Sequence, residues 1–243
     1  MAGEQQYEGG RVLSKALSRA RALALAFIVL CVLVAFGATR TVDRWGLTVA
    51  SLVASYPLDI TASLVTLLGE PQITGLIAVA LSLSWWKHRG RQGLVPLLLF
   101  VGVAIEAVLK YVLPHPGPPH EFSRRLQLPL FFHLVTPLLL HLDTPYSFPS
   151  GHMLRTTFLV AIISEHRPRW RTAGWALVLA TAFTRVYFND HWLSDVGGGI
   201  LLGLTLAAVA TVLDPGSPTR QHGKISSKER AHGNRKAGED SRA

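Results

Sequence analysis

The sequence predicts an all-α fold, an integral membrane bundle of about six transmembrane helices with both termini in the cytoplasm. Three observations carry this expectation. Of 243 residues, 49% are apolar and only 16% charged, whereas a soluble domain carries about a quarter charged residues, so lipid is the expected solvent. The apolar residues gather into runs near the ~20 residues that a helix needs to cross the hydrocarbon. The basic residues lie between those runs with a one-sided bias. The net charge of +9 therefore sits in short loop clusters rather than along one face, which argues against a nucleic-acid partner.

In chain order, the apolar runs are 22–38, 73–86, 94–113, 153–164, 170–187 and 196–213. The first follows a basic stretch and ends near Ala35-Phe36-Gly37, a cleavage-like site. Its apolar stretch is longer than the core of a signal peptide, so it is read as a span. The second and fourth runs are short for a crossing; residues 64–69 and the segment near Ser150 are expected to extend them. With both termini inside, the inner segments and tail hold 17 of the 24 Lys and Arg, as the positive-inside rule asks. Trp85, Trp86 and Trp170 at inner ends and Trp192 at an outer end suit an interfacial belt.

Residues 1–21 thus form a cytoplasmic N-terminal segment and 22–213 the six-helix membrane domain, with an outer loop at 114–149. Within that loop, 128–142 is apolar but broken by Pro129, His133, Pro137 and His141, which suits a segment lying in the interface. Residues 214–243 are rich in Pro, Gly, Ser and charge, without an apolar period, and read as a disordered basic cytoplasmic tail. The single cysteine, Cys31, allows no intrachain disulfide and no cysteine metal cluster. The outer histidines His115, His120, His133 and His141 match no zinc spacing, so no metal is expected.

Four polar clusters fall at outer helix ends: Lys110, the run Pro149-Ser150-Gly151-His152, the pair Thr184-Arg185, and His191 with Asp195. Ionisable groups at membrane depth are costly, so clusters facing one side point to a site. Ser150 can cap a helix whose free N–H groups attract an anion, although the same run also reads as an ordinary helix start. His191 and Asp195, four apart, share a helix face, where the carboxylate takes one imidazole N–H and leaves the other nitrogen free. Lys110 reads as a phosphate ligand or as the i,i+4 partner of Glu106, and Arg185 as a ligand or a snorkelling end residue. Together they hold what phosphoryl transfer needs: cations, a nucleophile and a proton donor.

These residues resemble a known family, the type 2 phosphatidic acid phosphatases with their lipid phosphatase and vanadium haloperoxidase relatives. The family motifs are Lys-x6-Arg-Pro, Pro-Ser-Gly-His and Ser-Arg-x5-His-x3-Asp. The second is complete at 149–152, and Thr184-Arg185, His191 and Asp195 keep the third with Thr for Ser. The first departs, because Gly117-Pro118 stands in place of Arg-Pro and His115-Pro116 where many members carry an extra Arg-Pro. The resemblance implies a membrane lipid phosphatase without metal or other cofactor. His191 would attack phosphorus, Asp195 hold its ring and His152 protonate the leaving oxygen, while Lys110, Ser150, Gly151 and Arg185 bind phosphate.

Loss of the motif arginine removes a donor worth about 3 to 4 kcal/mol in a transition state. Arg155, one turn after His152, is the candidate replacement, contacting phosphate or orienting a residue that does. Pairing with Glu106 or Asp195, or snorkelling, is its structural alternative. The expected partners are a lipid phosphate and the bilayer, with a polyprenyl diphosphate, a phosphatidate or a phosphatidylglycerol phosphate all fitting. A noncatalytic member that binds or moves phospholipids is the competing class, favoured by the missing arginine. A transporter built on Glu106 and Lys110 is a third reading, opposed by their position near an outer end.

Overall fold

The computed structural model describes residues 2–119 and 144–214, with side chains from residue 13 onward. The apolar loop segment 128–142, the histidines His120, His133 and His141, and the tail beyond Asp214 lie outside the described residues, as does most of the side-chain detail of segment 1–21. The described residues form helices α1 (Ala2–Ala35), α2 (Arg40–Leu52), α3 (Tyr56–Leu67), α4 (Pro71–Arg89), α5 (Leu98–Val112), α6 (Gly151–His166), α7 (Arg171–Tyr187) and α8 (Leu193–Leu213), with no strand among them. The all-α expectation holds.

Six of these helices, α1 and α4 to α8, take up the six apolar runs of the sequence. Their outer faces carry Ile28, Val29 and Val32 on α1, Leu76 and Leu83 on α4, Val101 and Val108 on α5, and Leu179 on α7. Such an exterior would be an aggregation surface in water and is matched by lipid tails in a bilayer. By length and hydropathy, the stretches Leu13–Ala35, Tyr56–Val112 (which holds α3, α4 and α5) and Leu193–Leu213 suffice to cross a membrane.

The expected extension of the second run through 64–69 is not what forms. The chain breaks at Gly69-Glu70, and α4 starts at Pro71, where a missing N–H costs nothing in the first turn. Residues 40–67 instead make two helices of 13 and 12 residues, about 20 and 18 Å long and too short to cross. They hide buried carboxylates: Asp43 of α2 caps the start of α8, and Asp59 of α3 accepts the Tyr187 hydroxyl at 2.6 Å. The third run is also shorter as an α-helix than expected. Gly90, at φ 57, ends α4, and Gly90–Leu97 winds as a 3-10 segment around Pro96 before α5 begins.

The core lies where α6 meets α8, with Phe148, Leu154, Phe158, Leu202 and Leu206 buried between them and Phe27 of α1 stacked on Phe148. The approach depends on missing side chains. A Cβ on Gly199 would run into the Ser150 carbonyl, and one on Gly203 would lie 2.7 Å from the Leu154 carbonyl. These glycines, four apart on α8, let the backbone of α6 settle against it as small residues do between membrane helices.

Candidate active site

The α8 start holds the first half of the site. Asn189, at φ 61, turns the chain after α7 in a left-handed conformation that asparagine tolerates. The Arg185 carbonyl then accepts the N–H groups of Asp190 and His191, both at 3.1 Å, which folds His191 back over the end of α7. His191 lies outside the helix, not on one of its faces as the spacing predicts. Its contact with Asp195 arises because Asp195 is the third residue of α8 and reaches back to the N-cap. One carboxylate oxygen, Oδ2, accepts the Trp192 N–H at 3.0 Å and lies 3.2 Å from His191 Nδ1. Asp195 is fully buried. With Nδ1–H committed to this carboxylate, His191 Nε2 keeps its lone pair, the state a nucleophile needs.

The α6 start supplies the second half. Ser150 is its N-cap and donates its backbone N–H to the Asp195 carbonyl at 3.0 Å, which joins the two helix starts. The expected side-chain cap does not form: the Ser150 hydroxyl is fully buried and finds no hydrogen-bond partner. A buried hydroxyl without a partner, beside the free N–H groups of a helix start, is a site shaped for an oxyanion. His152 follows, packed on Gly69, where a Cβ would lie 2.7 Å from its ring, with Nε2 3.6 Å from Glu70 Oε1. Each histidine therefore has a carboxylate beside it.

Two of the cations, Lys110 and Arg185, arrive from helix C-termini, and Arg155 from near the start of α6. Lys110, in the last turn of α5, pairs with Glu106 Oε1 at 2.8 Å, so the i,i+4 alternative is realised. Arg155 reaches the same carboxylate at 3.4 Å and donates to the Gly69 carbonyl at 3.1 Å. Its structural alternative, the pair with Glu106, is thus also realised, and no contact of Arg155 with Asp195 accompanies it. Glu106 presses against Gly151, where any Cβ would collide with the carboxylate, so both cations are held at the first turn of α6. Arg185, in the last turn of α7 and 1% exposed, bonds Asp190 at 3.1 Å and lies 3.4 Å from the Thr184 hydroxyl. Thr184 sits 3.5 Å from Thr66 at the end of α3. Lys110, Ser150, Gly151, His152, Arg155, Arg185, His191 and Asp195 all gather at one end of the bundle, with the starts of α6 and α8 pointing into it. Such a constellation can bind a tetrahedral anion and offer it a nucleophile and a proton donor.

The sequence model of the PAP2 superfamily matches residues 75–217, more than half of the chain and all of these groups. The chain belongs to the PAP2 superfamily. An undecaprenyl-diphosphatase of Sulfolobus acidocaldarius is 28% identical over 149 residues, covering 60% of this chain and 66% of that protein's length. The crystal structure of a transmembrane PAP2-type phosphatidylglycerolphosphate phosphatase from Bacillus subtilis superposes with a TM-score of 0.63 at 21% identity, over 81% of this chain and 96% of that one. The PAP2 fold here is that of a multi-pass membrane protein.

Three residues of this PAP2 site were not singled out for it by sequence. Glu70 lies in a helix break and meets His152 only in the folded chain. Glu106 reads in the sequence as a partner of Lys110 or of Arg155, and it holds both. His115, which reads as an outer histidine standing where many members carry an extra Arg-Pro, is 8% exposed and lies 3.4 Å from Asp195 Oδ1. No spacing rule connects it to Asp195, eighty residues away. Among the described residues no group of three or more His, Cys, Asp or Glu side chains is arranged to hold a metal ion.

Proposed function

We propose that this PAP2 protein is a membrane lipid phosphatase. It hydrolyses a phosphate monoester or diphosphate of a lipid, either a polyprenyl diphosphate, a phosphatidate or a phosphatidylglycerol phosphate, through a phosphohistidine at the extracytoplasmic face. The observation that carries this reading is the meeting of the α6 and α8 starts through the Ser150 N–H and the Asp195 carbonyl, with His191 bonded to Asp195 and His152 3.6 Å from Glu70. The names of the relatives, an undecaprenyl-diphosphatase and a phosphatidylglycerolphosphate phosphatase, support the substrate class.

His191 Nε2 attacks phosphorus; the N–P bond forms as the bond from phosphorus to the leaving oxygen breaks, and His152 gives that oxygen its proton. Water then attacks the phosphohistidine, its proton passing to His152, and inorganic phosphate leaves. The Ser150 hydroxyl, the Gly151 N–H, Lys110 and Arg185 take up the equatorial oxygens. Six crossings, by α1 and α4 to α8, would leave both termini on one face of the membrane and the site on the other, which this reading takes as the outer one. The 17 of 24 basic residues on the inner side support this orientation.

The test is inorganic phosphate release from the three lipids by purified protein in detergent without added metal. Release from at least one is expected. Binding of lipid phosphate without release would favour the noncatalytic reading, to which Gly117 and the pairing of Lys110 and Arg155 with Glu106 lend support.

A further inference from the structure

We propose that His115 is a positioning residue that acts through Asp195 on the nucleophile His191, an inference that rests on the phosphatase reading. Asp195 Oδ2 has two partners, but Oδ1, although fully buried, accepts no aligned hydrogen bond. His115 Nε2 lies 3.4 Å from Oδ1 and 3.3 Å from the Ser194 hydroxyl oxygen. That hydroxyl has one proton and gives it to Asp43 Oδ2 at 3.0 Å, while the Ser194 N–H donates to Asp43 Oδ1 at 2.8 Å. Ser194 can therefore only accept from His115, and the hydrogen-bonding pattern assigns the proton to Nε2 of His115. The same N–H faces Asp195 Oδ1, so a small rotation of the ring supplies the bond that the buried oxygen lacks. A buried carboxylate with one oxygen unsatisfied is costly, which favours that rotation.

The ring of His115 is held for this task. Phe148 meets it edge-on at 6.3 Å and Trp192 tilts against it at 6.4 Å. Its carbonyl accepts both the N–H and the hydroxyl of Ser147, at 3.0 and 3.1 Å, which ties the two described ends of the outer loop together at this residue. A directional chain results: His115 and Ser194 pass the anchoring of Asp43 on α2 to Asp195, and Asp195 fixes the tautomer of His191. In the motif comparison, His115-Pro116 takes the place of an extra Arg-Pro. A donor is thus kept there, aimed at the carboxylate.

The experiment compares His115→Phe, which keeps the packing and removes the donor, with His115→Gln, which keeps a donor N–H, in wild-type and Asp195→Asn backgrounds. His115→Phe is expected to lower kcat about 10-fold or more with KM little changed, the scale seen for an outer partner of a functional histidine. His115→Gln should recover most of that loss although it packs worse, and His115→Phe should cost nothing further in Asp195→Asn. A purely structural role predicts the reverse order of the two variants and losses that multiply with Asp195→Asn; either result overturns the proposal. Should wild-type protein turn over no lipid phosphate, the phosphatase reading fails by itself. Nitrogen NMR of 15N-histidine-labelled protein then decides on His115: a changed His191 Nδ1–H signal in His115→Phe supports the coupling, and an unchanged one rejects it.

Discussion

The two ends of the bundle carry nearly the same side chains and differ in the helix ends those side chains meet. At the site end, His191, Asp195, Arg185 and Lys110 surround the starts of α6 and α8, where the positive dipole ends of both helices lie. At the opposite end, Arg89 bonds Asp214 at 2.6 Å, and His166 stacks on Trp85 at 4.0 Å with Nε2 3.6 Å from the same carboxylate. Here the helices finish. The His166 Nδ1–H is taken by the Ile162 carbonyl at 2.8 Å, and Arg89 meets the C-terminal ends of α4, α6 and α8, where a cation neutralises the dipoles. A histidine, a carboxylate and an arginine therefore make a structural clasp at one end and the proposed anion cup at the other. Helix polarity decides which.

The largest effect should separate the ends outright. His191→Ala is expected to reduce phosphate release by about 10³-fold or more while leaving the melting temperature near wild type, because it removes the bond-forming atom and little packing. A variant with full turnover would reassign the nucleophile. Arg155 comes next: Arg155→Ala should lower kcat/KM about 30-fold and Arg155→Lys about 10-fold, because lysine keeps the charge but not the fork that spans Glu106 and Gly69. Unchanged kinetics in both variants would make Arg155 part of the clasp chemistry instead.

Gly117→Arg sharpens the comparison from the other direction. A Cβ at Gly117 meets only Ser147 at 3.5 Å, an ordinary contact, so the motif arginine has room. Restoring it should raise kcat/KM about 10-fold, part of what one oxyanion donor is worth; no gain would mean that Arg155 already fills the role. The smallest effect on turnover belongs to the clasp. Arg89→Ala should leave kcat within about twofold yet lower stability by about 2 to 3 kcal/mol, since it strands the buried Asp214 carboxylate. Thermal unfolding in detergent and phosphate release on the same samples measure both.

Much of this architecture was legible because membrane spans are a matter of length. The six apolar runs mark α1 and α4 to α8, and the runs at 149–152 and 184–195 mark residues that do converge. The short helices α2 and α3 were hidden because their buried faces carry Asp43, Asp59, Ser63 and Thr66, which read as loop until Ser194, Tyr187 and Thr184 are seen opposite them. Ser150 reads as a cap, and its hydroxyl is instead left without a partner at the proposed anion cup. The spacing of His191 and Asp195 pointed to the right pair by an incomplete geometry, since the bond follows from an N-cap reach and not from a shared helix face.

By itself, then, the sequence determined that the chain is a helical membrane bundle and which local runs carry its chemistry, because hydropathy, helix ends and i,i+4 spacing are properties of neighbouring residues. Only the tertiary structure decided the company each charge keeps: Glu106 holding Lys110 and Arg155, Glu70 beside His152, and His115 facing Asp195. Apart from the i,i+4 pair of Glu106 and Lys110, those contacts join residues far apart in the chain. They exist because Gly199 and Gly203 let α6 and α8 approach until their first turns share one buried pocket of polar groups.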